Sequence, residues 1–508
     1  PSNYLPRATD GLVRQRNESD QLQKQFRFDA KYKLGWSAPT QLKTGFHWRS
    51  LQMDQWGKER RRWVPKATNA YDANVRFAPD TSYVSYDTTK TGRRIPVWQA
   101  EGITKDGIPA DPSLWTEDLY YFESQKYLGT NGVTEWIPAT YAMAQGRFGR
   151  DGWLGRTGYL TGIRFEQVRT ESWGWVRSRL LSTAAQQLAD PVGSANRDYA
   201  VNYRNLPGKF NQRFPSFHAF HDITPNLKAR MSWSTGYGRA PLGSLLPVET
   251  PDDTNRVLTI NNVALKPQTA SNWDATLEYY FEPVGSLTFS WFHKTIDDYI
   301  VAALDRAVIA GGTGNGYNGE YEGYTERTTM NAGRVYVQGW EFAYSQQFTF
   351  LPGPLKGLSA SFNYSWTNQH GLGSAPTPGG TPVLGRLPTP TTPAVYFTRR
   401  DIANFIPAAA NVSLAWRYRK FNTSLLYNFT GEYPTSISVL NPALNQYRYS
   451  MKTLNVSAGY QYQPNLGFSV NASNILNEPQ AWYVGYKDRM RRTTINFVTV
   501  TVGVNGRF

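Results

Sequence analysis

The sequence predicts an all-β protein: a transmembrane antiparallel β-barrel, about fifteen strands of a larger barrel that is incomplete in this chain. Three observations carry that prediction. Long stretches alternate apolar and polar residues with period 2, the mark of a strand whose two faces meet different surroundings. Connections alternate between short turns and long loops, which collects the tight turns at one end of the wall and the large loops at the other. Aromatic residues make up 15% of the 508 residues, and they close many of the apolar sets, as in the interfacial girdles of membrane barrels. A helical membrane protein is excluded, because no run approaches the ~18 apolar residues of a spanning helix and mean hydropathy is −0.53. Closed barrels are the membrane class that remains.

Taken in order, the first strand is centred near residue 28. Its apolar set, Phe26, Phe28, Ala30, Tyr32 and Leu34, alternates with Gln25, Arg27, Asp29, Lys31 and Lys33. The turn at 35–39 leads to a strand near 45, and residues 51–138 then form the longest loop. Strands near 143 and 163 flank the turn 149–152. Four further hairpins follow, with strands near 218 and 231, 276 and 291, 342 and 361, and 413 and 426. Their turns are at 224–226, 282–285, 351–357 and 419–420. Strands near 456 and 470 flank 463–465, and the closing strand lies near 500. The long connections are 51–138, about 172–212, 238–268, 301–329, 369–405, 432–448 and 475–490.

Alternation also assigns faces. Trp416, Tyr418, Leu425, Tyr427, Val456, Ala458, Phe468, Val470, Val500 and Val502 should meet lipid, while Asn411, Arg417, Asn428, Asn455 and Asn471 should line a lumen. Bacterial single-chain barrels have even strand numbers, so fifteen implies further strands before residue 1. Parity then places residues 1–20 in an extracellular loop.

From residue 139 onward the chain resembles the carboxy-terminal barrel of the TonB-dependent outer-membrane receptor family. The likeness rests on 162–166 (GIRFE), 227–239 (LKARMSWSTGYGR), 265–281 (LKPQTASNWDATLEYYF) and 285–300. It continues through Asn331 to Gly333, Gly339 to Glu341, 350–357, 427–433 (YNFTGEY) and 471–479 (NASNILNEP). The resemblance implies a barrel of about 22 strands with an amino-terminal plug, the plug and first strands lying before residue 1. It implies an outer-membrane receptor of a Gram-negative bacterium that takes up a scarce large nutrient, such as a ferric siderophore, energised by the TonB complex through the missing plug. A cobalamin or oligosaccharide receptor of the same family, a passive porin and an outer-membrane enzyme are the alternatives. Implied partners are the small-molecule or oligomeric ligand, outer-membrane lipid and lipopolysaccharide, and the barrel-assembly machinery, which would read the last strand through terminal Phe508. No catalytic residue, cofactor or metal is assigned.

Two groups of residues are candidates for ligand contact. Trp56, Arg60, Arg61, Arg62 and Trp63 form a basic-aromatic cluster in the loop 51–138, able to stack on a ring and pair with its charges. An exposed loop needs no Trp for anchoring, so ligand contact and a solvated surface both stand for this cluster. Trp173 and Trp175 sit where a strand leaves the membrane, and there the girdle is the stronger reading.

The remaining signals are weaker. The 54 Lys and Arg against 39 Asp and Glu give a net charge of +15, and many cations fall on lumen faces, including Arg27, Lys31, Lys43, Arg164 and Arg230. Packing against a plug is favoured over drawing in an anion, because a lumen wall must be polar whatever passes through it. The chain has no Cys, which removes disulfides, thiolate metal sites and cysteine nucleophiles. His218 and His221 are an odd number apart on a strand and cannot chelate one metal. The glycines of 314–319 lack the strand-helix unit that phosphate binding needs. Basic charge gathers in no single stripe, so nucleic acid is not an expected partner.

Overall fold

A computed structural model of the chain describes residues 11–506 apart from 37, 67–82, 86–93, 97–103, 178–180, 254, 263–264, 316, 318, 332, 373–401 and 438–441. Its wall strands are β1 (Leu12–Leu34), β2 (Thr40–Pro65), β3 (Asn131–Arg147), β4 (Thr157–Trp175), β5 (Tyr203–Asp222), β6 (Leu227–Gly238), β7 (Gln268–Phe281), β8 (Gly285–Asp297), β9 (Arg334–Gln347), β10 (Leu358–Leu372), β11 (Ala408–Tyr418), β12 (Phe421–Thr430), β13 (Met451–Gln463), β14 (Leu466–Ser473) and β15 (Thr499–Gly506). Each predicted strand centre falls inside one of them. They are hydrogen-bonded in chain order from β1 to β15, and a short strand at Trp115–Glu117 joins the end of β2, making a sheet of 16 strands. Among the described residues no helix is long and apolar enough to cross a membrane.

Register carries each face around the wall. Val412 stands opposite Tyr427, Leu425 opposite Val456, Ala458 opposite Val470, and Val470 opposite Val502. Residues directly opposite one another share a face, so all ten residues assigned to lipid lie on one side. Asn411 stands opposite both Asn363 and Asn428, Asn455 opposite Leu426, and Asn471 opposite Ser457. With Arg417, these make up the other side. Asn411 Nδ2 donates to Asn363 Oδ1 at 2.8 Å, a lateral bond that a polar inner surface allows. The first side leaves apolar groups bare, Val502 at 73% exposure among them, which is untenable in water but suited to hydrocarbon.

Close approach of backbone and rings fixes one inner position. A Cβ on Gly339 would lie 2.2 Å from the Trp366 carbonyl oxygen and 2.7 Å from Phe292 Cζ. Gly339→Val should therefore cost about 1 to 3 kcal/mol through forced repacking, measurable as a lowered thermal midpoint of the detergent-solubilised wall.

Several boundaries differ from the sequence reading: of the connection expected at about 172–212, residues 203–212 belong to β5, and the first hairpin differs most. Residues 51–138 do not form one loop: β2 continues to Pro65 and the wall resumes at Asn131, leaving 66–130 as the connection. Residues 12–20, expected in a loop, belong to β1. The cause is pairing along the full hairpin, from Leu34 opposite Thr40 to Leu12 opposite Trp63, with a bulge between Arg16 and Glu18. At about 3.3 Å per residue these arms far exceed an apolar band about 25 Å tall. Beyond the band both faces meet water, so no alternation marks the strand. Residues 1–10 and Phe508 lie outside the described residues.

The long connections carry structure of their own. Glu249–Asp252, Val257–Ile260, Ile300–Val308 and Thr325–Asn331 form a separate four-stranded sheet. Two connections fold back onto the inner face. Leu246 packs on Met53 and Val133 with Leu242 and Val248, and Ile402 packs with Phe405 on Ile296, Val335 and Val337.

Candidate ligand-recognition surface

At the end of the wall that bears the long connections, the arginine cluster sits on a strand and is engaged by the segment that follows it. Trp56 pairs across to Glu18. Arg60 donates from Nε to Asn17 Oδ1 at 2.9 Å and from Nη1 to Gln125 Oε1 at 3.0 Å. Arg61 makes a bidentate pair with Glu117 at 2.6 and 2.7 Å and lies 5.3 Å over the Trp63 ring. Those hydrogen bonds push the Arg61 guanidinium up from its ordinary value. Arg62 pairs with Asp118 and lies 4.7 Å over Tyr121. Trp63 is buried against Trp115, with Leu12 and Leu114 beside them.

These contacts dock one helix. Asp118 caps α1 (Leu119–Leu128) by accepting from the Tyr121 backbone N–H at 2.8 Å, and it is the same carboxylate that Arg62 holds. A Cβ on Gly57 would lie 2.8 Å from Gly129 Cα and from the Gln125 carbonyl oxygen, so α1 can sit on β2 only because both sites are glycine.

Trp173 and Trp175 end β4 opposite Asn205 and Tyr203. Trp173 also stands opposite Gly132, on the outward side of the wall, where a girdle belongs. Their rings do not stop there. Trp175 meets Trp173 edge-on at 6.0 Å, Tyr203 at 5.1 Å and Tyr127 of α1 at 5.9 Å, and Tyr127 stacks on Tyr199 at 5.7 Å. The two candidate groups, far apart in sequence, are thus joined through α1: Arg60 holds Gln125, and Trp175 meets Tyr127.

The same assembly buries polar groups. Asp198 is fully buried and accepts from the Tyr120 hydroxyl, while its Oδ1 has no hydrogen-bond partner among the described residues. Burial, then the bond to Asp198, pushes the Tyr120 phenol far up, so it remains a neutral donor. Arg177 reaches Glu320 at 3.4 Å. Three connections, 66–130, 176–202 and 298–333, therefore lock together. Tyr120→Phe should leave Asp198 without a donor and cost about 1 to 3 kcal/mol, seen as faster hydrogen exchange in α1 with the wall strands unchanged.

A further constellation escaped the sequence reading. Arg239, just past β6, pairs with the buried Glu135 of β3, and Tyr237 donates to Glu166, which Arg164 also holds at 2.8 Å. Beside them lies a cavity of about 360 Å³ whose lining includes Glu135, Thr170, Gln212, Arg239, Lys266 and Asp298. Glu135 and Arg239 are 104 residues apart, so no local pattern could have linked them. Its one sequence signal was a charge at the end of a strand. Among the described residues no group of three His, Asp or Glu side chains could hold a metal ion.

The family model described as TonB dependent receptor-like, beta-barrel matches residues 1–475. A search of curated proteins finds no match. Among solved structures, the ferric-catecholate import receptor Fiu from K12 E. coli in its closed form is 13% identical, with a TM-score of 0.56 over 97% of this chain and 55% of that one. The copper transporter OprC is 10% identical, with a TM-score of 0.55 over 97% and 57%. The siderophore receptor PiuA from Acinetobacter baumannii is 11% identical, with a TM-score of 0.55 over 96% and 56%. At these identities the likeness is one of fold, and these neighbours are receptors and transporters, not enzymes. The chain spans about half the length of the solved proteins it matches.

Proposed function

Because the chain belongs to the TonB-dependent receptor β-barrel family, we propose that it is the membrane wall of an outer-membrane receptor that takes up a scarce nutrient too large for passive pores. The observation that carries this reading is the division of the wall into a bare apolar side and a polar inner side, with interlocked connections over one end. Ferric siderophores are the favoured ligand class, supported by the names of several structural neighbours. Cobalamin and oligosaccharides remain alternatives within the same function. Release of ligand would be driven by the TonB complex acting on a plug, so uptake should stop when that complex is deleted from cells carrying the intact receptor. Uptake that persists unchanged would identify a passive pore instead.

For recognition, the reading assigns ligand contact to the surface around α1, with Trp56, Arg60, Arg61, Arg62 and Trp63 on one side and Trp173 and Trp175 on the other. Arg60, Arg61 and Arg62 hold α1 and its cap in place, and this is favoured by their hydrogen bonds. Direct contact with an anionic ligand is a second reading, favoured by the 38% and 44% exposure that the Arg61 and Arg62 side chains retain. Replacing all three by Ser should weaken uptake of an anionic ligand more than tenfold, equivalent to ~1.4 kcal/mol or more, with the wall still assembled. The near-isosteric double change Glu117→Gln with Asp118→Asn, which removes both carboxylate charges and leaves the three Arg in place, separates the readings. It should reproduce the loss if docking of α1 matters, and spare binding if the guanidinium groups touch the ligand.

A further inference from the structure

A tall part of the wall, β2 to β5, carries aromatic and polar side chains on its outward face, above the membrane. In β4 the outward residues Ile163 and Phe165 have the parity of Trp173 and Trp175. β4 pairs with β5 without a bulge from Thr157 opposite His221 to Trp175 opposite Tyr203, so that parity is unbroken. Phe165, 45% exposed, is the last apolar residue of the series before Gln167, Arg169 and Glu171. From 165 to 173 the strand climbs about 26 Å, as much as the whole height of an apolar band. β5 agrees, with Lys209, Asn211 and Arg213 between Pro215 and Asn205 on the same face. A girdle borders the hydrocarbon, so these rings stand too high to belong to one.

Register sets three rows on that face. One holds Asp54, Gly132, Trp173 and Asn205, each opposite the next across β2 to β5. Toward the membrane the next holds Gln52, Thr134 and Glu171, and at the rim stand Trp175 and Tyr203. Residues directly opposite one another share a face. The position that a Cβ on Gly132 would take lies 2.6 Å from Trp173 Nε1 and against Asp54 Oδ1, so the missing side chain lets the indole and the carboxylate converge over β3. Trp173 and Tyr203 lie 6.5 Å apart and are tilted by only 32°, while Trp175 meets both more nearly edge-on. Tyr203 is 46% exposed.

The charge of these rows opposes that of the chain. The chain carries +15, yet the charged groups here are Asp54, Glu171 and Asp20, which stands opposite Asp54 from β1. Among the described residues none of the three forms an ion pair. Gln52 donates to Asp54 Oδ2 at 2.5 Å, which leaves Oδ1 to accept. The side chains of Thr134, Glu171 and Asn205 form no hydrogen bond among the described residues, and Glu171 and Asn205 are exposed.

We propose that this outward face binds a soluble, neutral hexose oligosaccharide, with C–H faces of its sugar rings laid on Trp173 and Tyr203 and its hydroxyls bonded to Asp54, Thr134, Glu171 and Asn205. The proposal deepens the reading that Trp173 and Trp175 touch ligand, rests on it, and gives that side of the surface a ligand class. Aromatic faces take apolar C–H surface. Carboxylate, amide and hydroxyl groups together supply the acceptors and donors that neighbouring sugar hydroxyls need. An anion is repelled by the three carboxylates. A simple cation would use the rings and carboxylates and leave Thr134 and Asn205 idle. The face lies outside the lumen and reaches the α1 surface through the contact of Trp175 with Tyr127, so it captures a chain beside the mouth and not along the path through the wall.

The test uses the full chain folded in detergent micelles that carry no sugar headgroup, with binding read by isothermal titration. The probes are cellohexaose and maltohexaose, their sulfated forms as anions, and spermidine as a cation. At least one neutral hexaose should bind with a dissociation constant of about 1 mM or tighter. The double change Trp173→Ala with Trp175→Ala should weaken that binding at least tenfold, and Phe at both positions should restore part of it. Because Trp175 also packs on α1, Trp173→Ala alone is the second variant, with heat-modifiable migration confirming its fold. Binding of neither neutral hexaose would overturn the proposal, as would equal binding by the wild-type chain and both folded variants. Tighter binding of a sulfated form, or displacement of the hexaose by equimolar spermidine, would overturn it as well. If the Trp changes abolish nutrient uptake by the intact receptor while no hexaose binds, the ligand-contact reading stands and the sugar class falls. If a hexaose binds through Trp173 while uptake ignores deletion of the TonB complex, the transport reading falls and this site stands.

Discussion

Replacing Leu425 and Val456 together by Arg should abolish assembly of the wall, whereas the same double change at Ser424 and Ser457 should be tolerated. These two cross-strand pairs are neighbours on β12 and β13, Leu425 opposite Val456 and Ser424 opposite Ser457. Each double change sets two like charges against each other, so repulsion is common to both and the difference isolates the surroundings. On the outward side, mid-strand, each Arg faces hydrocarbon at a cost of about 2 to 4 kcal/mol. On the inward side the new charges replace hydroxyls that already bond each other at 2.7 Å, within reach of lumen water. The measurement is heat-modifiable migration of protein from outer-membrane fractions. Assembly of both doubles, or failure of both, would mean that the two sides do not differ as the register requires.

The second large effect is expected at the buried pair of Glu135 and Arg239. The Glu135 side chain is 3% exposed and that of Arg239 29%. Arg239→Met should lower stability by about 3 to 5 kcal/mol, because it leaves a carboxylate that is almost wholly buried without its counter-charge. Adding Glu135→Leu should restore most of the loss, since replacing both members of a buried pair with apolar groups is often neutral. Thermal unfolding in detergent checks this, and a single change that costs nothing would show the site to be wet. The pair fastens the start of the 239–267 connection to β3, and that connection packs Leu246 onto Met53 and Val133. Its loss should therefore also disturb the cavity beside it, and with it any ligand held there.

Sequence alone determined the fifteen wall strands and the face of every side chain tested on them. Both are local properties: a pleated strand alternates with period 2 whatever lies beyond it, and each tight turn fixes one hairpin. Val456 was assigned to lipid from its neighbours alone, and its partners Leu425 and Ala472 only confirmed it. The seven residues proposed for ligand contact were picked out by local composition, as Trp and Arg close together or at a strand end. Their company was not legible. That Arg61 is spent on Glu117, 56 residues away, and that Trp175 reaches Tyr199 through Tyr127, depend on where α1 docks, which two glycines decide by close approach. The length of the β1–β2 hairpin was equally hidden, because a strand wet on both faces has no polarity pattern to read. The inward fold of Leu246 onto Met53 and Val133, that of Ile402 onto Val335 and Val337, and the pairing of Glu135 with Arg239 join residues far apart in sequence. Only tertiary structure brings such groups together, since burial depends on what arrives from elsewhere in the chain.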